Sequence, residues 1–348
     1  MHYGTSFIIA FSITAILLFE LKPLALRIGL VDEPDNERKH HKGKIPMIGG
    51  IAMFCGFMLA LLTLDQPLTG LRTLIGSAAI LIIVGVLDDF HDLSTKIRFI
   101  AQIFVGILMS TNGGVILNDL GAIGFSAAPI ELGYLALPIT ILAVIMAINA
   151  VNMVDGIDGL AGGLSLITLT ALSLISWKAG LEQALSILVL LIGTVLAFLR
   201  FNLRYLKQIR AKVFMGDAGS MFLGFMIVWF LISLSQGEQR AMTPVTVLWI
   251  FALPLLDTAT ITIRRLLQRK SPFAADREHL HHLLLDAGFT VTNTLLIMLG
   301  LATSFALIGI ISLESGIQES IMFWTFMGIF TIYLFICQHH SSQHKPQK

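Results

Sequence analysis

Three segments of the chain gather side chains able to bind a metal or a phosphate. Asp88, Asp89 and Asp92 lie in Leu87–Asp92, Asn149, Asn152, Asp155 and Asp158 lie between 149 and 159, and Asp217 lies in Met215–Ser220. Each segment sits at the edge of a long apolar run. Carboxylates beside a bilayer are costly to keep there, so their recurrence argues for chemistry. Brought to one face, they would form a metal-binding cluster at a membrane surface.

On a helix continuing from the preceding apolar run, Asp88 and Asp92 share a face and Asp89 flanks them. Crowded like charges raise one another's pKa unless a cation neutralises them, which suits a divalent metal or a general base. A solvated acidic loop is the plain alternative. Asn149 and Asn152 end an apolar helix, where uncharged amides reach a metal or phosphate without burying a charge. Gly156, Gly159, Gly162 and Gly163 follow, and close helix packing is the other use of such glycines. Packing does not explain two Asn and two Asp in the same stretch. The run Gly216–Ser220 leads into another apolar segment. A helix starting near Ser220 would aim free N–H groups at an anion, with Asp217 placed to hold a bridging cation. An ordinary N-cap is the alternative.

Asp276–His282 carries Arg277, His279, His281 and His282. His279 and His282 share a helical face and His281 lies off it. No cysteine accompanies them, so a polar, phosphorylated substrate suits them better than zinc. Asp257 lies inside an apolar run, where function and a structural pairing with an arginine or a helix end weigh about equally. Lys42, Lys44, Lys96 and Arg98 are candidate phosphate contacts that topology alone would also place there.

The elements that must position these groups are membrane helices. Hydrophobic residues make up 55% of the chain and charged residues 13%, with mean hydropathy +0.83. That composition excludes a soluble domain and predicts an all-α polytopic integral membrane protein. About eleven spans are expected, at 4–21, 48–64, 72–87, 98–111, 132–151, 161–177, 183–201, 220–235, 245–263, 294–312 and 320–337. Of the 23 Lys and Arg, all but Arg72, Lys178 and Arg240 fall on alternate loops. The positive-inside rule makes those loops cytoplasmic, with the N-terminus outside and the C-terminus inside. All the acidic segments then face the cytoplasm. Residues 1–337 are expected to form one integral domain, with a polar, disordered tail over 338–348. Cys55 and Cys337 read as buried thiols. Acids clustered at one face, with no repeat, argue against a cation-coupled transporter.

Five stretches in order, VDEPDNERKHHKGKIPMIGG (31–50), LDD (87–89), NAVNMVDGIDGLAGG (149–163), VFMGDAGS (213–220) and SPFAADREHLHHLLLDAGF (271–289), resemble the polyprenyl-phosphate N-acetylhexosamine-1-phosphate transferases. The likeness is greatest to the bacterial UDP-GlcNAc:undecaprenyl-phosphate branch and covers about residues 20–300. It implies transfer of GlcNAc-1-phosphate from UDP-GlcNAc to undecaprenyl phosphate, releasing UMP, in a multi-pass protein of the bacterial inner membrane. That step initiates a cell-envelope glycan such as O-antigen or enterobacterial common antigen. Related UDP-N-acetylhexosamines are the alternative donors, and the His-Leu-His-His loop argues against a muramyl donor.

The resemblance further implies Mg²⁺, or Mn²⁺, held by Asp217 with Asn152. It implies catalytic roles for Asp88, Asp89, Asp155 and Asp158, with Asp88 activating the acceptor phosphate. Substrate binding would fall to Arg277, His279, His281, His282, Lys42, Lys96, Arg98 and Asn149. The implied partners are both substrates and the bilayer, with no nucleic acid and a homodimer left open.

Overall fold

The computed structural model describes residues 3–33, 43–64, 71–124, 128–204, 208, 210–269 and 279–343. Lys42, Arg277 and the tail residues 344–348 lie outside the described residues. The helices are α1 (Tyr3–Ile28), α2 (Gly49–Leu61), α3 (Arg72–His91), α4 (Thr95–Thr111), α5 (Ala136–Met153), α6 (Leu160–Lys178) and α7 (Glu182–Asn202). They continue as α8 (Gly216–Ser233), α9 (Pro244–Ile250), α10 (Ala252–Leu267), α11 (Leu280–Asp286), α12 (Val291–Glu314) and α13 (Glu319–Gln343). The named strands among the described residues are β1 (Val31–Asp32) and β2 (Ile45–Pro46), an antiparallel pair.

The protein is therefore an all-α polytopic membrane protein. Among the described residues eight helices, α1, α3, α5 to α8, α12 and α13, are long and apolar enough to cross a bilayer by themselves. A bent pair makes a ninth: α9 and α10 meet at Phe251 with a bend of 88°. The single helix expected over 245–263 is thus two. Pro254, at the third position of α10, lacks the N–H an unbroken helix would need there. α2 has 13 residues and α4 has 17, both helical where the sequence placed spans but shorter than each of those eight helices. α13 runs to Gln343, past the expected end at 337.

α8 forms the axis of the bundle. It is apolar on every side, and every residue from Ala218 to Ile232 is buried, as an all-round hydrophobic helix must be. α2, α3, α5 and α6 pack around it. The closest approaches run through glycine. A Cβ at Gly50 would fall 2.5 Å from Gly219 Cα, and one at Gly85 would fall 2.5 Å from the Ala218 nitrogen. At Gly224 it would fall 2.6 Å from Ile148 Cα. Bare backbone on α2 and α3 therefore seats the first turn of α8, while Gly224 lets α5 close lower down.

The segment before α8 is fixed in the same way. Phe214 N donates to Pro46 O at 2.9 Å, and Gly49 N and Gly50 N donate to Phe214 O and Met215 O at 3.0 and 2.9 Å. Ile45–Gly50, part of one of the stretches that carry the resemblance, is thus the cradle of α8.

Candidate active site

The C-terminal ends of α3, α5 and α7 meet the N-terminal end of α8 around a cavity of about 1150 Å³. Asp88, Asp89, Asp92, Asn152, Asp155, Asp158, Asn202, Arg204, Asp217 and His282 all contribute to its lining. The three acidic segments, dispersed along the chain, are one site.

α8 begins at Gly216, not near Ser220. Gly216 has φ +72°, and a Cβ there would lie 2.5 Å from Asp89 Oδ2. Asp217 consequently stands in the first helical turn, where the dipole favours a negative charge. The free N–H groups expected to meet a ligand anion meet Asp89 instead. Asp217 N donates to Asp89 Oδ1 at 2.7 Å and Ala218 N donates to Asp89 Oδ2 at 3.3 Å. A carboxylate from a neighbouring helix thus caps α8.

Asp88 faces the other way. Its Oδ2 lies 3.0 Å from Nη1 of Arg98 in the first turn of α4, and the same nitrogen is 3.8 Å from Asp217 Oδ2. Arg98 therefore spans the two carboxylates. Asp88 is 4% exposed, so this cation is what makes its burial tolerable. α3 stops at His91, and Asp92 follows in the left-handed conformation with φ 47°. Asp88 and Asp92 do not share a helical face as expected, because the helix has ended between them.

The Asn152 amide donates to Asp217 Oδ1 and, at 2.9 Å, to Ser220 Oγ. Asp158 Oδ2 is taken by Arg204 Nε at 2.6 Å and by the Ala211 amide at 3.0 Å. Asp155 is left open to the cavity, within the walls that the helix ends form around it. That enclosure, with the charges of Asp217 and Asp158, lifts its carboxyl to about 7.

Besides His279 and His281, three expected substrate contacts, Asn149, Lys96 and Arg98, are not among the lining residues of the cavity. Asn149 donates to Gln102 of α4 and to Ile145 O, both at 2.8 Å, so its amide joins α5 to α4. Lys96 is exposed at the start of α4 and is not part of the lining.

The three histidines do not act from one face. α11 starts at Leu280, with His279 extended before it. His279 turns inward to Asp257, His281 is buried against Gly156, and His282 reaches the cavity. Burial, with His282 and His279 beside it, holds the His281 imidazole down to about 3, so it is neutral.

Sequence reasoning missed Asn202 and Arg204. Asn202 is 3% exposed, accepts from Gly159 N at 2.7 Å and donates to Val213 O at 2.9 Å. It ties the Asp155–Asp158 loop to the segment leading into Asp217. Its signal was present, an amide at the end of an apolar run like Asn152, though without an acidic neighbour.

Residues 71–235 match the family model described as glycosyl transferase family 4. The chain is 40% identical over 331 residues to an undecaprenyl-phosphate alpha-N-acetylglucosaminyl 1-phosphate transferase of Yersinia pestis, covering 95% of this chain and 90% of the relative. The protein of that name from Escherichia coli (strain K12) is 39% identical over 331 residues, covering 95% and 89%. That from Haemophilus influenzae is 40% identical over 322 residues, covering 92% and 90%.

Proposed function

The chain belongs to the undecaprenyl-phosphate α-N-acetylglucosaminyl 1-phosphate transferases, and on that footing we propose that it transfers GlcNAc-1-phosphate from UDP-GlcNAc to undecaprenyl phosphate. An oxygen of the acceptor phosphate attacks the phosphorus that carries GlcNAc. The bond from that phosphorus to the bridging oxygen breaks, and UMP leaves with that oxygen. The observation that carries this reading is the convergence of Asp88, Asp89, Asn152, Asp155 and Asp217 on one cavity at the helix ends. Its volume exceeds the roughly 300–1,000 Å³ usual for one small ligand, as two phosphorylated reactants require.

The donor set fits Mg²⁺. The groups at the centre are carboxylates and one side-chain amide, and carboxylate and amide oxygens are the ligands a hard cation prefers. Among the described residues no three His, Cys, Asp or Glu side chains could hold a metal by themselves. That accords with Mg²⁺, which takes one or two carboxylates and completes its shell with substrate phosphate and water. Asp217 would hold the ion with the Asn152 amide turned to present its oxygen. When bound, the cation neutralises phosphate charge and polarises the reacting phosphorus.

The chain supplies the rest. Arg98, fixed by Asp88, offers positive charge to a phosphate beside Asp217. Asp89 holds the start of α8 in place, so Asp217 is preorganised. Asp155, lifted to about 7, is a carboxyl that can hold or release a proton on its Oδ atoms near neutrality. Asp158 is committed to Arg204 and serves the loop. His282, in the cavity lining, is placed for the donor's phosphate or sugar.

We further read the site end as cytoplasmic and the membrane as the bacterial inner membrane. Arg72, Lys178 and Arg240 lie at the ends of α3, α6 and the α8–α9 connection remote from the acids. Lys178 pairs there with Glu314, and Arg240 lies 3.8 Å from Asp119. The test is transfer of label from UDP-[¹⁴C]GlcNAc to undecaprenyl phosphate by purified protein, with and without Mg²⁺, beside Asp217→Asn. Metal-dependent lipid product and UMP, lost in the variant, are expected. No lipid product from folded wild-type protein with any UDP-N-acetylhexosamine would end the reading.

A further inference from the structure

Asp257 is 1% exposed, within an apolar helix, and takes no part in the cavity wall. Three donors nevertheless converge on its carboxylate. Oδ1 accepts from the Leu280 amide at 3.0 Å and from the Tyr333 hydroxyl at 2.9 Å, and Oδ2 lies 2.8 Å from His279 Nδ1. The donors come from two other elements, the start of α11 and α13. Burying a carboxylate this deeply is costly, and an apolar side chain would fill the space without that cost. What the carboxylate adds is orientation.

The orientation reaches the cavity through a run of neighbouring imidazole rings, the first pair stacked and the second tilted. With Asp257 as acceptor, His279 donates from Nδ1, and that bond fixes the orientation of its ring. The His279 and His281 rings stack with centroids 5.7 Å apart and planes at 10°. The His281 and His282 centroids are 4.2 Å apart. His281 is wedged against Gly156, between Asp155 and Asp158, and His282 lines the cavity. A shift of His279 therefore moves both the acidic loop and the imidazole facing the substrates.

We propose that Asp257 is a positioning residue for the phosphoryl transfer: with Tyr333 it fixes the ring of His279 and the first turn of α11, and so sets His282 and the Asp155–Asp158 loop. This rests on the transfer reading above. Positioning errors weigh on the reacting geometry more than on binding, so the loss should fall on kcat.

Asp257→Asn tests it. An asparagine keeps the shape and can still accept from Leu280 and Tyr333, but its NH₂ would face His279 Nδ1 and force the other tautomer. For the folded variant we expect kcat to fall by at least about tenfold while KM for UDP-GlcNAc stays within about threefold. In Asp257→Asn/His279→Gln the loss should not exceed that of the worse single variant, since both act through one ring. A wild-type kcat in Asp257→Asn, or losses that multiply in the double variant, would overturn the assignment. Should Asp257→Asn fail to fold, Tyr333→Phe removes one donor and leaves the carboxylate. A kcat lowered about threefold at unchanged KM then supports the assignment, and an unchanged kcat overturns it. A wild-type protein giving no lipid product would count against the transfer itself, and the assignment falls with it.

Discussion

Arg98 and Asp88 hold each other at 3.0 Å across the junction of α3 and α4, with the carboxylate almost wholly buried and the guanidinium partly exposed. The pair solves two problems together. The acid gives the arginine a fixed place, and the arginine makes the acid's burial tolerable. A group first read as a phosphate contact and another first read as a base are thus one device.

Removing Arg98 should therefore damage stability and activity together. Arg98→Ala leaves Asp88 buried with its partner gone, at a cost of about 1–3 kcal/mol. We expect lower thermal stability in detergent and at least about a tenfold loss of turnover. Arg98→Ala/Asp88→Asn should regain stability without regaining turnover, since the buried charge goes but the phosphate contact stays lost.

Asp89 and Asp217 should separate under conservative substitution. Asp89→Asn keeps one oxygen to accept from the first turn of α8 and forfeits the second acceptor, a cost of about 1 kcal/mol. Turnover in Asp89→Asn should remain above about a tenth of wild type. Asp217→Asn should lose about a hundredfold or more and flatten the Mg²⁺ dependence. Equal losses in both would return Asp89 to the chemistry.

The glycine contacts around α8 give a graded test. Gly85→Ala and Gly50→Ala place a methyl group against α8 backbone, which cannot rotate away. Overpacking of this kind costs about 1–3 kcal/mol, and the displaced first turn should take activity with it. Gly76→Ala is the control on the same helix α3, because a Cβ there meets nothing within 4 Å. Its melting temperature and turnover should match wild type.

His281 should make the fold sensitive to acid. Its imidazole is held at about 3 in the folded protein against 6.5 when free, so below 6.5 the unfolded chain binds the extra proton. Stability then falls as pH drops from about 6.5 toward 3, by at most about 1.4 kcal/mol per pH unit. Thermal melts at pH 5 and pH 7.5 should differ more for wild type than for His281→Asn. The same difference in both would show that other groups carry the acid sensitivity.

Much of this was readable in the residues, and the reasons are physical. Asp88, Asn152, Asp155 and Asp217 advertised themselves because charge and amide beside apolar runs are expensive, and the runs fixed which end of each helix they occupy. The direction each group faces was not readable. Asp89 turned to α8 because that helix starts four residues before Ser220 and exposes N–H groups that something must cap. His279 turned to Asp257 across 22 residues and Tyr333 reached the same Asp257 across 76, and no local spacing encodes either meeting. The break at Phe251 was hidden because the apolar character continues through it unbroken.

The sleeve around α8 also bears on how the enzyme is assembled. α2, α3, α5 and α6 all precede α8 in the chain, so during synthesis they can gather before it arrives. Asp88, Asp89, Asn152 and Asp155 would then stand in a socket whose plug carries Asp217. The site is completed by the same event that fills the centre of the bundle, which couples its maturation to the closing of the fold.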